Sequence, residues 1–228
     1  MTAAIVAGMR AQALHVGQDD IDVGVVDFGI GNLGSVANML TRVGGRPHIS
    51  DQPSVLANCK RIILPGVGSF DAAMKRLSDT GMADLLQHMV RDRNIPILGI
   101  CLGMQLFATR SEEGRLPGLG WIPATVVKFR PAPGGENIRV PHIGWNGIAR
   151  RGSSPLLEGI EDGSEFYFVH SFHLDDGAQD MVIATANYGE NFAAMVQKDC
   201  IFGAQCHPEK SQDPGERLFH NFLRNIPN

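Results

Sequence analysis

Residues 97–107 read ILGICLGMQLF, an apolar run broken by Cys101, with Gly99 two positions before the sulfur and Gly103 two after. Gly-x-Cys-x-Gly between a strand and a helix has the form of a nucleophile elbow. The sharp turn forces strained backbone angles on the central residue and crowds the positions on either side, where glycine dispenses with a Cβ. A helix starting near Leu102 turns its free N–H groups and positive end on the sulfur and favours thiolate over thiol. A buried free cysteine is the plainer alternative for an apolar strand; the paired glycines weigh against it.

A thiolate nucleophile needs a base, and QCHPEKS (205–211) supplies one. Pro208 biases His207 towards extended geometry, in which His207 and Glu209 project to the same side. Glu209 can then fix the tautomer and orientation of the imidazole. The developing oxyanion needs donors. The N–H of Leu102 is one candidate, and PGVGSF (65–70), at the end of another strand, offers the N–H groups of Val67 and Gly68. A glycine-rich strand-to-helix turn accounts for that segment equally well.

Other constellations compete. GIGNLG (29–34) follows a strand, opens a helical stretch and has Asp51 about 20 residues on, the form of a dinucleotide fingerprint. An NAD site would leave the elbow and HPEKS without a purpose. A cysteine peptidase or γ-glutamyl hydrolase would use the same sulfur and imidazole, and a binding module would need neither. His170 and His173 suggest a metal pair, but no third ligand stands at sensible spacing, so a strand-end structural role is expected, with no metal and no cofactor.

These groups must be held by a frame. IDVGVVDF (21–28), RIILPG (61–66) and IPILGI (95–100) read as strands. Between the last two, Met82, Leu85, Leu86, Met89 and Val90 make one apolar stripe of a helix. Strands alternating with helices imply βαβ units and a mostly parallel sheet. After about Gly120 the segments 124–129, 165–174, 181–186, 192–197 and 200–206 follow through short turns, one of them at Gly189, and GERLFHNFL closes the chain as an amphipathic helix. The expected fold is α/β: a mostly parallel central sheet flanked by helices, with a smaller antiparallel sheet from the later half. One domain over 21–228 is expected, after a disordered or loosely packed leader over 1–20.

The 228 residues are 43% hydrophobic with a formal charge of −4, and the basic residues are scattered, so nothing marks a nucleic-acid partner. No uninterrupted apolar stretch reaches the roughly 20 residues of a membrane span. Cys59, Cys101, Cys200 and Cys206 include no CxxC pair, which points to reduced thiols in the cytoplasm.

Together DFGIGNLGSV (27–36), LPGVGSF (64–70), GICLGMQLF (99–107), SEEG (111–114), PHIGWN (141–146), FYFVHSFH (166–173) and HPEKS (207–211) resemble the class I, triad-type glutamine amidotransferases. The branch most similar is the glutaminase subunits of histidine biosynthesis; those feeding sugar-amidating enzymes of surface-polysaccharide synthesis come next. The resemblance implies Cys101 as nucleophile, His207 as general base and acid, and Glu209 as its orienter. It implies L-glutamine held by Gln105 and the backbone around Gly68, Ser171 and Phe172. It also implies ammonia passed to a separate cyclase partner, a (β/α)₈ barrel, in a heterodimer, with Asn32, Trp145, Asn146 and Lys210 facing that partner. A core tryptophan is the alternative for Trp145. In the family the PGVG strand is thought to reorient before its amide serves the oxyanion, which implies a free subunit of low activity. One departure is Cys206, where an aromatic residue is usual.

Overall fold

The computed structural model describes residues 21–29, 31–130 and 138–227; the leader expected over 1–20 lies outside them. The first half runs β1 (Ile21–Val26), α1 (Leu33–Arg42), β2 (Gly45–Ser50), α2 (Pro53–Leu56), β3 (Arg61–Gly66), α3 (Phe70–Asp79) and α4 (Met82–Gln87). A wider π turn, His88–Asp92, prolongs α4, and β4 (Ile97–Cys101) leads into the one-turn α5 (Leu102–Gln105). The second half carries β5 (Arg110–Ser111), β6 (Thr125–Lys128), β7 (His142–Gly147), β8 (Ala149–Arg150), β9 (Glu165–His170) and β10 (Phe172–Leu174). It ends with β11 (Val182–Asn187), β12 (Asn191–Lys198), β13 (Ile201–Ala204) and α6 (Gln212–Arg224).

The central sheet has the order β2-β1-β3-β4-β13-β12-β11-β8. From β2 to β13 neighbours are parallel, and from there to β8 antiparallel. β3 and β4 are buried along their whole length because helices cover both faces, which is why they read as continuous apolar runs. Alternate side chains feed two cores. Val25, Ile63 and Leu98 meet Leu40 of α1 and Phe219 and Phe222 of α6; Ile62, Leu64 and Ile97 meet Phe70, Leu77, Met82 and Leu86 of α3 and α4. Each fully buried Leu, Ile or Phe contributes about 1.5–3 kcal/mol. Arg61 ties the C-terminal end of α6 to β3: its guanidinium, buried with the residue 3% exposed, donates to Ile226 O at 2.6 Å and Phe222 O at 3.3 Å.

The mostly parallel sheet flanked by helices is as the sequence implies. The later strands are divided more finely than expected: β11, β12 and β13 complete the central sheet, while two small sheets, β10-β6-β5 and β7-β9, stand apart. The stretch 165–174, read as one strand, is two. The chain turns at Ser171, so that β9 pairs with β7 and β10 with β6. That turn, the C-terminal ends of β3 and β4, and the loop after β13 meet at one edge, where ligands of open parallel sheets bind.

Candidate active site

Cys101 is the last residue of β4, with φ +54 and ψ −110. A non-glycine residue in that region carries strain that only its surroundings can enforce. The glycines serve the packing of α5 rather than the cysteine itself. A Cβ on Gly99 would stand 2.7 Å from the backbone of Gly103, and one on Gly103 would overlap the Leu64 carbonyl oxygen. Because α5 is a single turn, it offers no long macrodipole to the sulfur.

The base is held beside the sulfur by a different geometry from the extended one expected. Residues Pro208–Lys210 form a 3₁₀ turn, with proline at the first position, where no N–H is needed. His207 N–H donates to Tyr167 O at 2.8 Å. Ser211 Oγ donates to His207 O at 2.7 Å and accepts from Tyr167 N–H at 3.0 Å, so the turn is pinned to β9. The tight turn brings His207 Nδ1 to 2.8 Å from Glu209 Oε1, with side chains 3% and 2% exposed. Among the described residues His207 Nε2 has no hydrogen-bond partner. Burial pulls the imidazole's pKa down, but Cys101 and Glu209 outweigh it and hold it raised, at about 10.

Gln205 adds a donor that spacing alone did not single out: its Nε2 lies 3.6 Å from Cys101 Sγ. Val169 O, in β9, lies 3.8 Å from the same sulfur. The remaining cysteines are poor nucleophiles. Burial raises the thiol of Cys59 to about 11, raises that of Cys200, and puts that of Cys206 well above its ordinary range. The small Cys206 thus packs as an apolar side chain.

A cavity of about 320 Å³ opens over Cys101, lined by Val67, Gly68, Leu102, Gln105, Glu113, Pro141, Val169, His170, Ser171 and Phe172. It gathers every residue expected to hold the amide or the oxyanion. Gly68 has φ +98, which only glycine adopts cheaply. Gln105 turns its Nε2 inward, donating to Phe172 O at 2.9 Å and Gln205 Oε1 at 3.0 Å. Glu113 is a site residue the motif reading passed over: its Oε2 accepts from Phe70 N–H at 2.8 Å, and the carboxylate at the cavity wall suits an α-ammonium group. Only its place in SEEG hinted at this.

The residues expected to face a partner are less uniform. Trp145 is 46% exposed and Ile143, two residues before it in β7, 60% exposed, so Trp145 is not a core side chain. Trp145 meets Tyr167 edge-on, with ring centroids 6.0 Å apart, and Lys210 Nζ sits 5.6 Å from the Tyr167 ring. Asn32 is exposed before α1, whereas Asn146 commits its amide to Asn187 O at 2.8 Å in an exposed contact.

His170 and His173 do not converge. Nδ1 of each donates to a carbonyl, Phe172 O and Leu174 O respectively, both at 2.9 Å. Among the described residues no three His, Cys, Asp or Glu side chains are grouped to hold a metal. Asp51, the acid of the dinucleotide reading, faces Arg76 at 3.7 Å.

Fold and site define a cysteine-based amide hydrolase of the triad type, and residues 25–226 match the model of the family "Glutamine amidotransferase class-I". The chain belongs to this family. It is 44% identical over 199 residues to the imidazole glycerol phosphate synthase subunit HisH 2 of Pseudomonas aeruginosa, covering 87% of this chain and 97% of the relative. It is 45% identical over 198 residues to the subunit HisH of Bdellovibrio bacteriovorus, with the same coverage. Among solved structures, a glutamine amidotransferase of Thermotoga maritima shares the fold, with a TM-score of 0.63 at 15% identity, covering 92% of this chain and 99% of that one.

Proposed function

We propose that this chain is the glutaminase subunit of an imidazole glycerol phosphate synthase, hydrolysing L-glutamine and passing the ammonia to a cyclase subunit in histidine biosynthesis. The arrangement that carries the reading is the strained Cys101 at the floor of the cavity, with the buried His207–Glu209 pair beside it. Residues 21–228 act as one amidotransferase domain. The partner is a (β/α)₈ barrel, and the cytoplasm is the site of action; no described helix is long and apolar enough to cross a membrane.

In this reading the Cys101 thiolate attacks the carboxamide carbon, and the N–H groups of Leu102 and of Val67 or Gly68 receive the oxyanion. His207 protonates the departing ammonia, then draws a proton from water as it cleaves the γ-glutamyl thioester and releases glutamate. Acid–base help of this kind is worth roughly 10²- to 10⁴-fold, and each oxyanion donor roughly 10²- to 10³-fold. Gln105, Glu113 and the Ser171–Phe172 backbone hold the amino-acid end. Ammonia released into neutral water would be protonated and lost as a nucleophile, so it must cross directly into the partner at the face bearing Asn32, Trp145, Asn146 and Lys210.

The test is a coupled assay with the cyclase subunit. Glutamate formation and amination of the cyclase substrate should run one to one, and Cys101→Ser should abolish glutamine-dependent amination while leaving amination by added ammonium salts. Glutamine-dependent amination that survives Cys101→Ser would overturn the reading.

A further inference from the structure

Two buried histidines outside the nucleophile–base pair are joined ring to ring. His142 in β7 and His170 at the end of β9 face each other in the ladder, with His142 Nδ1 3.1 Å from His170 Nε2. The two ends of this link decide where every hydrogen sits. Phe172 O can only accept, so His170 Nδ1, 2.9 Å away, carries its hydrogen and leaves Nε2 as an acceptor. His142 Nδ1 must then be the donor. At the other end Asn146 Nδ2, a donor, lies 3.4 Å from His142 Nε2. With both rings neutral, each is held in one tautomer. Burial enforces this, lowering the pKa of His142 to about 4 and that of His170 to about 3.

The link ends on a carbonyl at the substrate cavity. Phe172 O accepts a second bond from Gln105 Nε2, whose other hydrogen goes to Gln205 Oε1. Gln205 Nε2 in turn reaches Cys101 Sγ. Both lone pairs of the Phe172 carbonyl are thus used, one by the histidine link and one by the glutamine pair beside the nucleophile. Packing alone does not call for imidazoles here. His142 and His170 sit among Phe129, Phe168 and Phe192, where a phenyl ring would avoid the cost of burying polar nitrogens. What an imidazole adds is a donor of fixed direction.

We propose that His170, its tautomer set by Phe172 O and reinforced by the hydrogen that His142 donates to Nε2, is a positioning residue for the amide substrate: it fixes the Ser171–Phe172 backbone and, through the shared carbonyl, the Gln105 amide at the cavity wall. This rests on the glutaminase reading above.

Two alkylating agents separate positioning from general integrity, read by mass mapping of the Cys101 peptide. Iodoacetamide needs only a reactive sulfur, whereas the diazoketone analogue of glutamine must first seat in the cavity. His170→Phe keeps the ring and removes the donor. It should slow labelling by the analogue roughly ten- to hundred-fold, the scale of one lost hydrogen bond to a buried group, while iodoacetamide labelling stays within about twofold. His170→Asn, which returns an amide N–H near the position of Nδ1, should recover much of the loss. Equal rates with both agents in a folded His170→Phe chain, or parallel loss of both, would overturn the proposal. If His170→Phe fails to fold, His142→Phe, which removes the donor to His170 Nε2 but keeps the His170 ring, is read in the same way, with a loss of about three- to tenfold for the analogue alone. In the complex with the cyclase subunit, a wild-type chain that iodoacetamide labels and the analogue does not would overturn the glutaminase reading itself, and this inference with it.

Discussion

Replacing Glu209 by glutamine keeps the size of the side chain and an acceptor for His207 Nδ1 but removes the charge. Raising the imidazole from 6.5 to about 10 in the folded state corresponds to about 5 kcal/mol in favour of the protonated form. Cys101 and Glu209 both raise it, and losing the carboxylate leaves the buried imidazolium without its ion-pair partner, a change that costs about 3–5 kcal/mol in buried pairs. The sign follows from the raised pKa: the stabilisation is complete below pH 6.5, where the unfolded histidine is also protonated, and is lost as pH rises through about 10. Glu209→Gln should therefore lower stability by about 3–5 kcal/mol at pH 6 and by little at pH 10. Urea unfolding at the two pH values measures the difference, and an NMR titration of the His207 ring should show its proton leaving at lower pH than in wild type. Glutamine turnover should fall about 10²- to 10⁴-fold, as when the orienting acid of a triad is neutralised. The same loss of stability at pH 6 and pH 10, with an unmoved His207 titration, would refute the electrostatic coupling.

Three further outcomes follow from the packing and the surface, and a fourth from the partner. Gly103→Ala should yield little soluble protein, because its Cβ meets the Leu64 carbonyl, a backbone atom that cannot swing aside; soluble, active Gly103→Ala would contradict the close approach of α5 to β3. Arg61→Met should cost about 2–4 kcal/mol in thermal or urea unfolding, since the carbonyls of Phe222 and Ile226 lose buried donors. Trp145→Ala should leave unfolding within about 0.5 kcal/mol of wild type, as its exposure implies, yet weaken association with the cyclase subunit by at least tenfold in a titration; unchanged association would remove Trp145 from the partner face. The isolated chain should hydrolyse glutamine more slowly than the complex with cyclase substrate bound, and equal rates would discard the idea that the 65–68 segment needs a partner.

Much of this was legible in the chain, and the gaps have physical causes. β3 and β4 lie at the centre of the sheet with both faces covered, so their apolar runs announce them. β2 (GRPHIS) lies at the edge, carries Pro47, exposes Arg46 and Ile49 and buries only Gly45, and nothing in its pattern signals a strand. The single-strand reading of 165–174 failed because alternation continues across Ser171, while the break comes from a side chain, His170, closing a turn on Phe172 O. Cys101, His207 and Glu209 were readable because an elbow and a short triad segment are local. Their neighbours were not: Gln205 meets Cys101 from 104 residues away, and Glu113 meets Phe70 from 43, contacts set by strand order rather than spacing. His207 and Glu209 do lie together, as expected, through a 3₁₀ turn instead of an extended segment.

Rapid quenching of the complex with glutamine, followed by intact-mass and peptide analysis, tests the central claim most directly. A covalent γ-glutamyl group should accumulate on Cys101, vanish in Cys101→Ser and persist longer in His207→Asn, which cannot activate water. Turnover of glutamine at the wild-type rate with no acyl group on that sulfur, or with the group on another residue, would contradict it.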